Sequence, residues 1–217
     1  MVTSPKATQP RPHATCQDRS RRTLERILVA AEALLQERNF DELTMVDLAK
    51  RAGCAVGTLY ARIPSKDSLL TCLYERGQEL ARDVPAAVFE QHRNAALEER
   101  AQVVCRMIIQ RCEANRGIIR ATTEHLFRHP HEDAHGFRRQ VTATMKSIAA
   151  FLAEKADRIP RAERQKACEF ALLAAFEVAQ GRVVYGDRSG WRLRYSRKEL
   201  EQRITLLMLS YLQACTS

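Results

Sequence analysis

Apolar residues recur at helical spacing along most of the chain, and nowhere with the two-residue alternation of a strand. Leu24, Ile27, Leu28, Ala31, Leu34 and Leu35 make one face of a first helix, with Glu25, Arg26, Glu32 and Arg38 on the other side and Asn39 at its end. Thr44 followed three residues later by Asp47 nearly matches a capping box and starts a short helix that Gly53 closes. A third helix, from about Ala55 to Ala61, is held short by Pro64, and Ser65 is already the N-cap of a fourth. That fourth helix turns Leu69, Leu70, Leu73, Tyr74 and Leu80 inward, and Pro85 kinks or ends it.

The remaining sequence also predicts helices alone. Leu97, Val104, Cys105, Ile108 and Cys112 form a fifth stripe that breaks at Asn115 to Gly117, and Ile118 to Phe127 form a sixth, stopped by Pro130. Phe137, Val141, Met145, Ile148 and Leu152 form a seventh. Pro160 suits a helix start and opens an eighth, Arg161 to Tyr185, which carries apolar residues on two sides. After a loop with Gly190 and Trp191, the full capping box Ser196 to Glu199 opens a ninth, whose stripe of Leu200, Ile204, Leu207, Met208 and Tyr211 is broadened by Leu206 and Leu209. The expected fold is therefore all-α, with nine helices.

A length of 217 residues, 45% of them hydrophobic, excludes a disordered or fibrous chain and allows one large domain or two small ones. No apolar run approaches the roughly 18 residues of a membrane span, and the Pro-rich start lacks a secretory signal, so a cytoplasmic protein is expected. Seven cysteines, an odd number without Cys-x-x-Cys spacing, fit that reducing compartment. Cys105 and Cys112 lie roughly 10 Å apart along one helix, beyond disulfide reach, and read as core. Residues 1–19 are polar and without periodicity, which predicts a disordered basic arm.

A net charge of +9 favours a polyanionic partner, but charge alone does not name it. Its distribution says more. Between Thr23 and Leu70 six basic residues are outnumbered by seven acids, yet Lys50, Arg51, Arg62 and Lys66 occupy the stretch from 50 to 66 without any acid. Two short helices joined at Gly53 have the layout of a helix-turn-helix, whose second helix enters the DNA major groove. The run TLERILVAAEALLQERNFDELTMVDLAKRAGCAVGTLYARIPSKDSLL, Thr23 to Leu70, resembles the DNA-binding domain of the TetR (tetracycline-repressor-like) family of transcriptional regulators. The elements that carry this likeness are Leu-Thr-Met-x-Asp-Leu-Ala-x-Arg-Ala-Gly and Gly-Thr-Leu-Tyr followed by Pro-Ser-Lys-Asp.

Thr44, at a helix start, offers a hydroxyl and backbone N–H groups to a phosphate. The resemblance implies that Thr58, Tyr60, Arg62 and Lys66 grip the DNA backbone beside the groove. Base reading then falls to Ala55, Val56, Gly57 and Thr58, with Met45 or Val46. None of these can form a bidentate pair with a base edge, so contact with thymine methyl groups, DNA shape and arm arginines such as Arg22 are expected to carry specificity. As isolated residues, Thr44 and Ser65 cap helices with or without DNA, and Tyr60 alone is compatible with a core aromatic.

The resemblance further implies a domain plan: an arm over 1–19, the helix-turn-helix domain over 20–66, and a ligand-binding and dimerisation domain over 67–217. Met107, Ile108, Phe127, Phe137, Met145 and Phe176 are candidates to line an apolar pocket, although such stripes are more often core. Leu172, Phe176, Ile204, Leu207, Met208 and Tyr211 on helices eight and nine are candidates for a four-helix bundle between two copies. The implied function is a homodimeric repressor that binds a palindromic operator on double-stranded DNA and is released by a small hydrophobic effector, with helix four as the link. Two alternatives remain. One is an effector-independent DNA-binding protein; the other is a metal sensor using Glu124, His125, His129, His131, Glu132, Asp133 and His135, where imidazoles stand one turn apart but Pro130 separates the pairs. No phosphate loop, nucleophile elbow or zinc-protease motif is present, so neither an enzyme nor a cofactor is expected.

Overall fold

A computed structural model describes residues 16–128, 137–186 and 194–216, with the backbone alone at 16–18, 77–85, 137 and 138. Among these residues run the α-helices α1 (Cys16–Glu37), α2 (Met45–Arg51), α3 (Val56–Tyr60), α4 (Lys66–Gln91), α5 (Leu97–Ala114), α6 (Arg116–Arg128), α7 (Phe137–Ala153), α8 (Arg161–Val183) and α9 (Arg197–Ala214). No strand occurs among them. Nine helices lie among the described residues.

Local chemistry sets the boundaries. The Thr44 hydroxyl accepts from the Asp47 N–H at 3.0 Å, and the Ser65 hydroxyl accepts from the Ser68 N–H at 3.0 Å, so each satisfies a helix-start donor. Ser196 and Glu199 form the reciprocal capping box at α9, and Pro160 caps α8. One expectation needs correction, and one alternative is settled. α1 starts at Cys16, so Cys16 to Arg19 are helical rather than part of a disordered arm. Of the two alternatives at Pro85, a kink or an end, the end is excluded: α4 continues through it to Gln91, although an interior proline removes one backbone donor.

The helices bury two separate cores. The first gathers Ile27, Leu34 and Leu35 of α1, Leu48 of α2, Leu59 of α3, and Leu69 and Leu73 of α4. It also takes in Ile118 and Ala121 of α6. The second joins α5, α7, α8 and α9 through residues such as Val104, Ile109, Leu152, Leu172, Ile204 and Met208. Cys105, Cys112 and Cys168 belong to this second core, and burial pushes their thiols up to about 11, 12 and 11.

α6 joins the two. An ideal Cβ on Gly117 would stand 2.5 Å from the Leu35 carbonyl oxygen, so only glycine permits this approach of α6 to α1. One turn on, the buried Arg120 donates from Nη2 to the carbonyls of Leu35 and Arg38, both at 2.9 Å, at the end of α1. Arg116 donates to the Val183 carbonyl at the end of α8, at 2.7 Å. At the far end of α4, Phe89 stacks on Phe151 with ring centroids 4.3 Å apart, and the fully buried Arg100 lies against the same Phe151 ring.

Candidate nucleic-acid interface

α3 has only five residues, too few to be stable alone, so its position rests on neighbours. Leu59 is its anchor, completely buried in the first core. The opposite side faces solvent: Val56 is 38% and Tyr60 46% exposed, and a Cβ on Gly57 would meet nothing within 4 Å. Ala55, the N-cap, contributes no side-chain cap and is also exposed; Thr58 is half-buried. α2 adds Val46, 61% exposed, while its neighbour Met45 points into the core. Of the two alternatives at this position, Val46 is the one available to a groove.

The turn between α2 and α3 needs Gly53, whose φ of +62° lies in the left-handed region. Its conformation is fixed from outside by Arg26. The guanidinium donates from Nη2 to the Ala52 carbonyl at 2.7 Å and the Gly53 carbonyl at 2.8 Å, and from Nε to Ala52 at 3.2 Å. Arg38 pairs with Asp47 at 3.1 Å, tying α1 to the first turn of α2. Sequence reasoning left both arginines on the solvated side of α1, because nothing local reveals partners 26 and 9 residues away.

The cations and hydroxyls expected to hold phosphates divide into two groups. Thr44 is exposed, and although its oxygen caps α2, its hydroxyl hydrogen remains a donor in kind. Arg22 and Lys50 are exposed on the same domain. Arg62 and Lys66 instead have structural partners. Arg62 Nε donates to the Ser20 carbonyl at 3.4 Å, and Lys66 Nζ donates to the Asp41 carbonyl at 2.9 Å while lying 5.0 Å from the centre of the Phe40 ring. Arg62 thus ties the segment after α3 to the beginning of α1, and Lys66 ties the start of α4 to the loop that follows α1. Arg51 is paired with Glu37 at 3.0 Å.

The segment so placed matches a known profile. Residues 27–72 match the bacterial regulatory proteins, tetR family. Over this segment the chain is similar to the regulators of that family. Uncharacterized HTH-type transcriptional regulators of Mycobacterium tuberculosis and Mycobacterium bovis are 38% identical over 88 residues, 39% of this chain. The match spans about 40% of the length of those relatives. Solved structures carry the likeness across the whole fold. A structure described as a TetR-family transcriptional regulator from Mesorhizobium loti superposes with a TM-score of 0.67 at 19% identity, covering 90% of this chain and 98% of that one. A TetR-like transcriptional regulator from Rhodococcus sp. gives 0.62 at 17%, covering 88% and 96%. The fatty acid degradation regulator FadR from Bacillus halodurans gives 0.60 at 17%, covering 88% and 94%. At such identities these structures establish a shared TetR-like fold.

Away from residues 27–72, the candidate pocket and dimer residues separate by burial. Met145 and Phe176 come together with Val141, Thr142, Lys146, Glu169, Leu173 and Glu177 in an open groove of about 300 Å³ between α7 and α8. Ile108 is buried and Met107 packs against the second core, so neither lines that groove. Phe127 is 82% exposed near the end of α6, which corrects its assignment to a pocket. The Phe137 side chain lies outside the described ones. Leu172, Ile204 and Met208 are each about 1% exposed and hold α8 and α9 to α5 within one chain, which corrects their assignment to a dimer face. The apolar residues left outside are Phe170, Leu173, Val178, Leu206 and Leu207, with Tyr211 half-buried and in ring contact with Phe170 at 4.9 Å. His125 is half-buried; His129, His131, Glu132, Asp133 and His135 lie outside the described residues. No helix among the described residues is long and apolar enough to cross a membrane.

Proposed function

We propose that this TetR-family protein is a cytoplasmic transcriptional repressor that binds a palindromic operator as a homodimer and lets go when a small hydrophobic effector binds. The observation that carries the reading is the exposed edge of α3, anchored by buried Leu59 and flanked by Val46 and Thr44. An outward face of Val56, Gly57 and Tyr60 on so short a helix suits insertion into the major groove, with Thr44, Tyr60, Lys50 and Arg22 against phosphates. Val46, Ala55 and Val56 would read thymine methyl groups, since no side chain there offers a bidentate base contact.

Phe170, Leu173, Leu206 and Leu207 support the dimer, because four large apolar residues exposed at 47–65% on adjacent helices favour a covering surface. A second copy packed through the same face by two-fold symmetry would present two recognition helices about 34–36 Å apart, one turn of duplex. The groove lined by Val141, Met145 and Phe176 suits the apolar part of an effector, and Lys146, Glu169 and Glu177 at its margin suit a polar end. An effector releases DNA only by its preference for the dimer that no longer fits the operator.

The test is a gel shift of the purified protein on the DNA upstream of its own gene, with the mass of the complex measured. A sequence-specific complex containing two chains supports the reading, and loss of that complex on adding an apolar ligand supports release. Binding indifferent to sequence, or by a single chain, contradicts it.

A further inference from the structure

Arg26 reaches from α1 to the turn of the helix-turn-helix. Around that turn the backbone N–H groups of Ala52, Gly53 and Cys54 donate back to Leu48, Lys50 and Ala49, at 2.8, 3.2 and 3.0 Å. None of these bonds reaches the carbonyls of Ala52 and Gly53. Those two oxygens lie at the negative end of α2, and the Arg26 fork reaches both. A Cβ on Gly53 would lie 3.6 Å from Arg26 Nη2, so the guanidinium sits directly against the left-handed residue.

We infer that Arg26 is a positioning residue for sequence recognition, which fixes the turn against α1 and thereby the angle at which Val56–Tyr60 stands relative to Val46 and Thr44. The inference rests on the operator-binding reading above. Without the fork, α3 keeps its Leu59 anchor but swings about it, so the apolar readers lose register with the base edges while contacts with phosphate persist. Lysine cannot replace arginine fully, because a single ammonium has no planar fork to span two carbonyls.

The experiment enriches a duplex from a random-sequence pool with the wild-type protein. It then compares wild type, Arg26→Ala and Arg26→Lys on that duplex and on a scrambled one, across several salt concentrations, with thermal unfolding measured in parallel. The expected result for Arg26→Ala is a tenfold or larger loss on the enriched duplex, less than threefold on the scrambled one, and an unchanged salt dependence. Arg26→Lys is expected to fall between, and it carries the comparison should the alanine variant not fold. Retention of the wild-type selectivity ratio overturns the inference. So does parallel loss on both duplexes, whether with a collapsed melting temperature or with a salt slope lowered by about one, the mark of a direct phosphate contact. If the wild type enriches no sequence at all, the operator reading itself falls, and the role of Arg26 with it.

Discussion

The two cores of this protein are built on different rules. In the N-terminal one, single polar groups decide geometry: Thr44 and Ser65 start helices, Gly53 turns the chain, and Arg26, Arg38, Arg62 and Lys66 each reach a distant partner. In the C-terminal one, the helices are held mainly by apolar contact among residues such as Val104, Leu152, Leu172 and Met208. Likeness to other proteins is also uneven along the chain. The family profile covers residues 27–72 alone, whereas structures under 20% identical follow 88–90% of the chain. A surface that must meet a duplex of fixed shape tolerates few residues at each position. A helical body needs only apolar side chains of suitable volume, which many sequences supply.

The sharpest way to break this comparison is to damage the apolar body and look for an effect at the proposed DNA-binding surface. Leu172→Ala is expected to cost about 2–5 kcal/mol in thermal or denaturant unfolding. Operator selectivity of the protein that stays folded should not change; altered selectivity would show the two parts to be less independent than their cores suggest. The joint between them is the next test. Gly117→Ala forces a methyl group onto Leu35 and is expected to cost about 1–3 kcal/mol by unfolding, and to weaken DNA binding more than Leu172→Ala does at equal stability.

Arg76 comes third. It joins α4 to Glu32 at 2.8 Å and to Glu25 on α1, and its side chain is 17% exposed. Its hydrogen bond and charge hold the Glu25 carboxyl below its ordinary value of 4.5. A depressed acid stabilises the fold above its ordinary pKa, and that contribution fades as pH falls through the lowered value. Arg76→Ala is therefore expected to cost about 1–2 kcal/mol at neutral pH, discounted because Glu25 is half exposed, and less once the pH has fallen through the lowered value. Equal loss at both pH values would contradict an ionic role. The smallest effect belongs to Val46. Val46→Ser should leave melting unchanged while weakening operator binding about threefold to fivefold, near the value of one buried methyl group. Replacing the contacted thymine by uracil in the DNA should reproduce that loss in the wild type and add nothing to the variant.

Much of the architecture was legible because caps and stripes are local. Thr44, Ser65, Pro160 and the box at Ser196 mark helix starts where the structure has them. What escaped was long-range or two-sided. Pro85 allowed either a kink or an end by local rules, and only the packing of α4 decides that the helix runs on past it. Arg26, Arg100 and Arg120 look like surface charges along their helices, yet all three donate to backbone carbonyls far away in sequence. α8 and α9 are apolar on two sides, and periodicity cannot say which side faces inward. Leu172, Ile204 and Met208 turned out to be core, while Phe170, Leu173 and Leu206 remained outside. Phe127 fits a pocket by type alone, and its exposure removes it.

The central claim is that the outer edge of Val56–Tyr60 reads bases in two symmetric copies. Its most direct test compares the binding-site logos that wild type and Val56→Gln select from one random pool. The account predicts a palindrome for both, with half-sites about 10 base pairs apart or at a related spacing. The glutamine variant should change the preferred base at the same position in each half, since its amide can pair with adenine where valine met a methyl group. An identical logo for the two proteins, or a logo without two-fold symmetry, would contradict it.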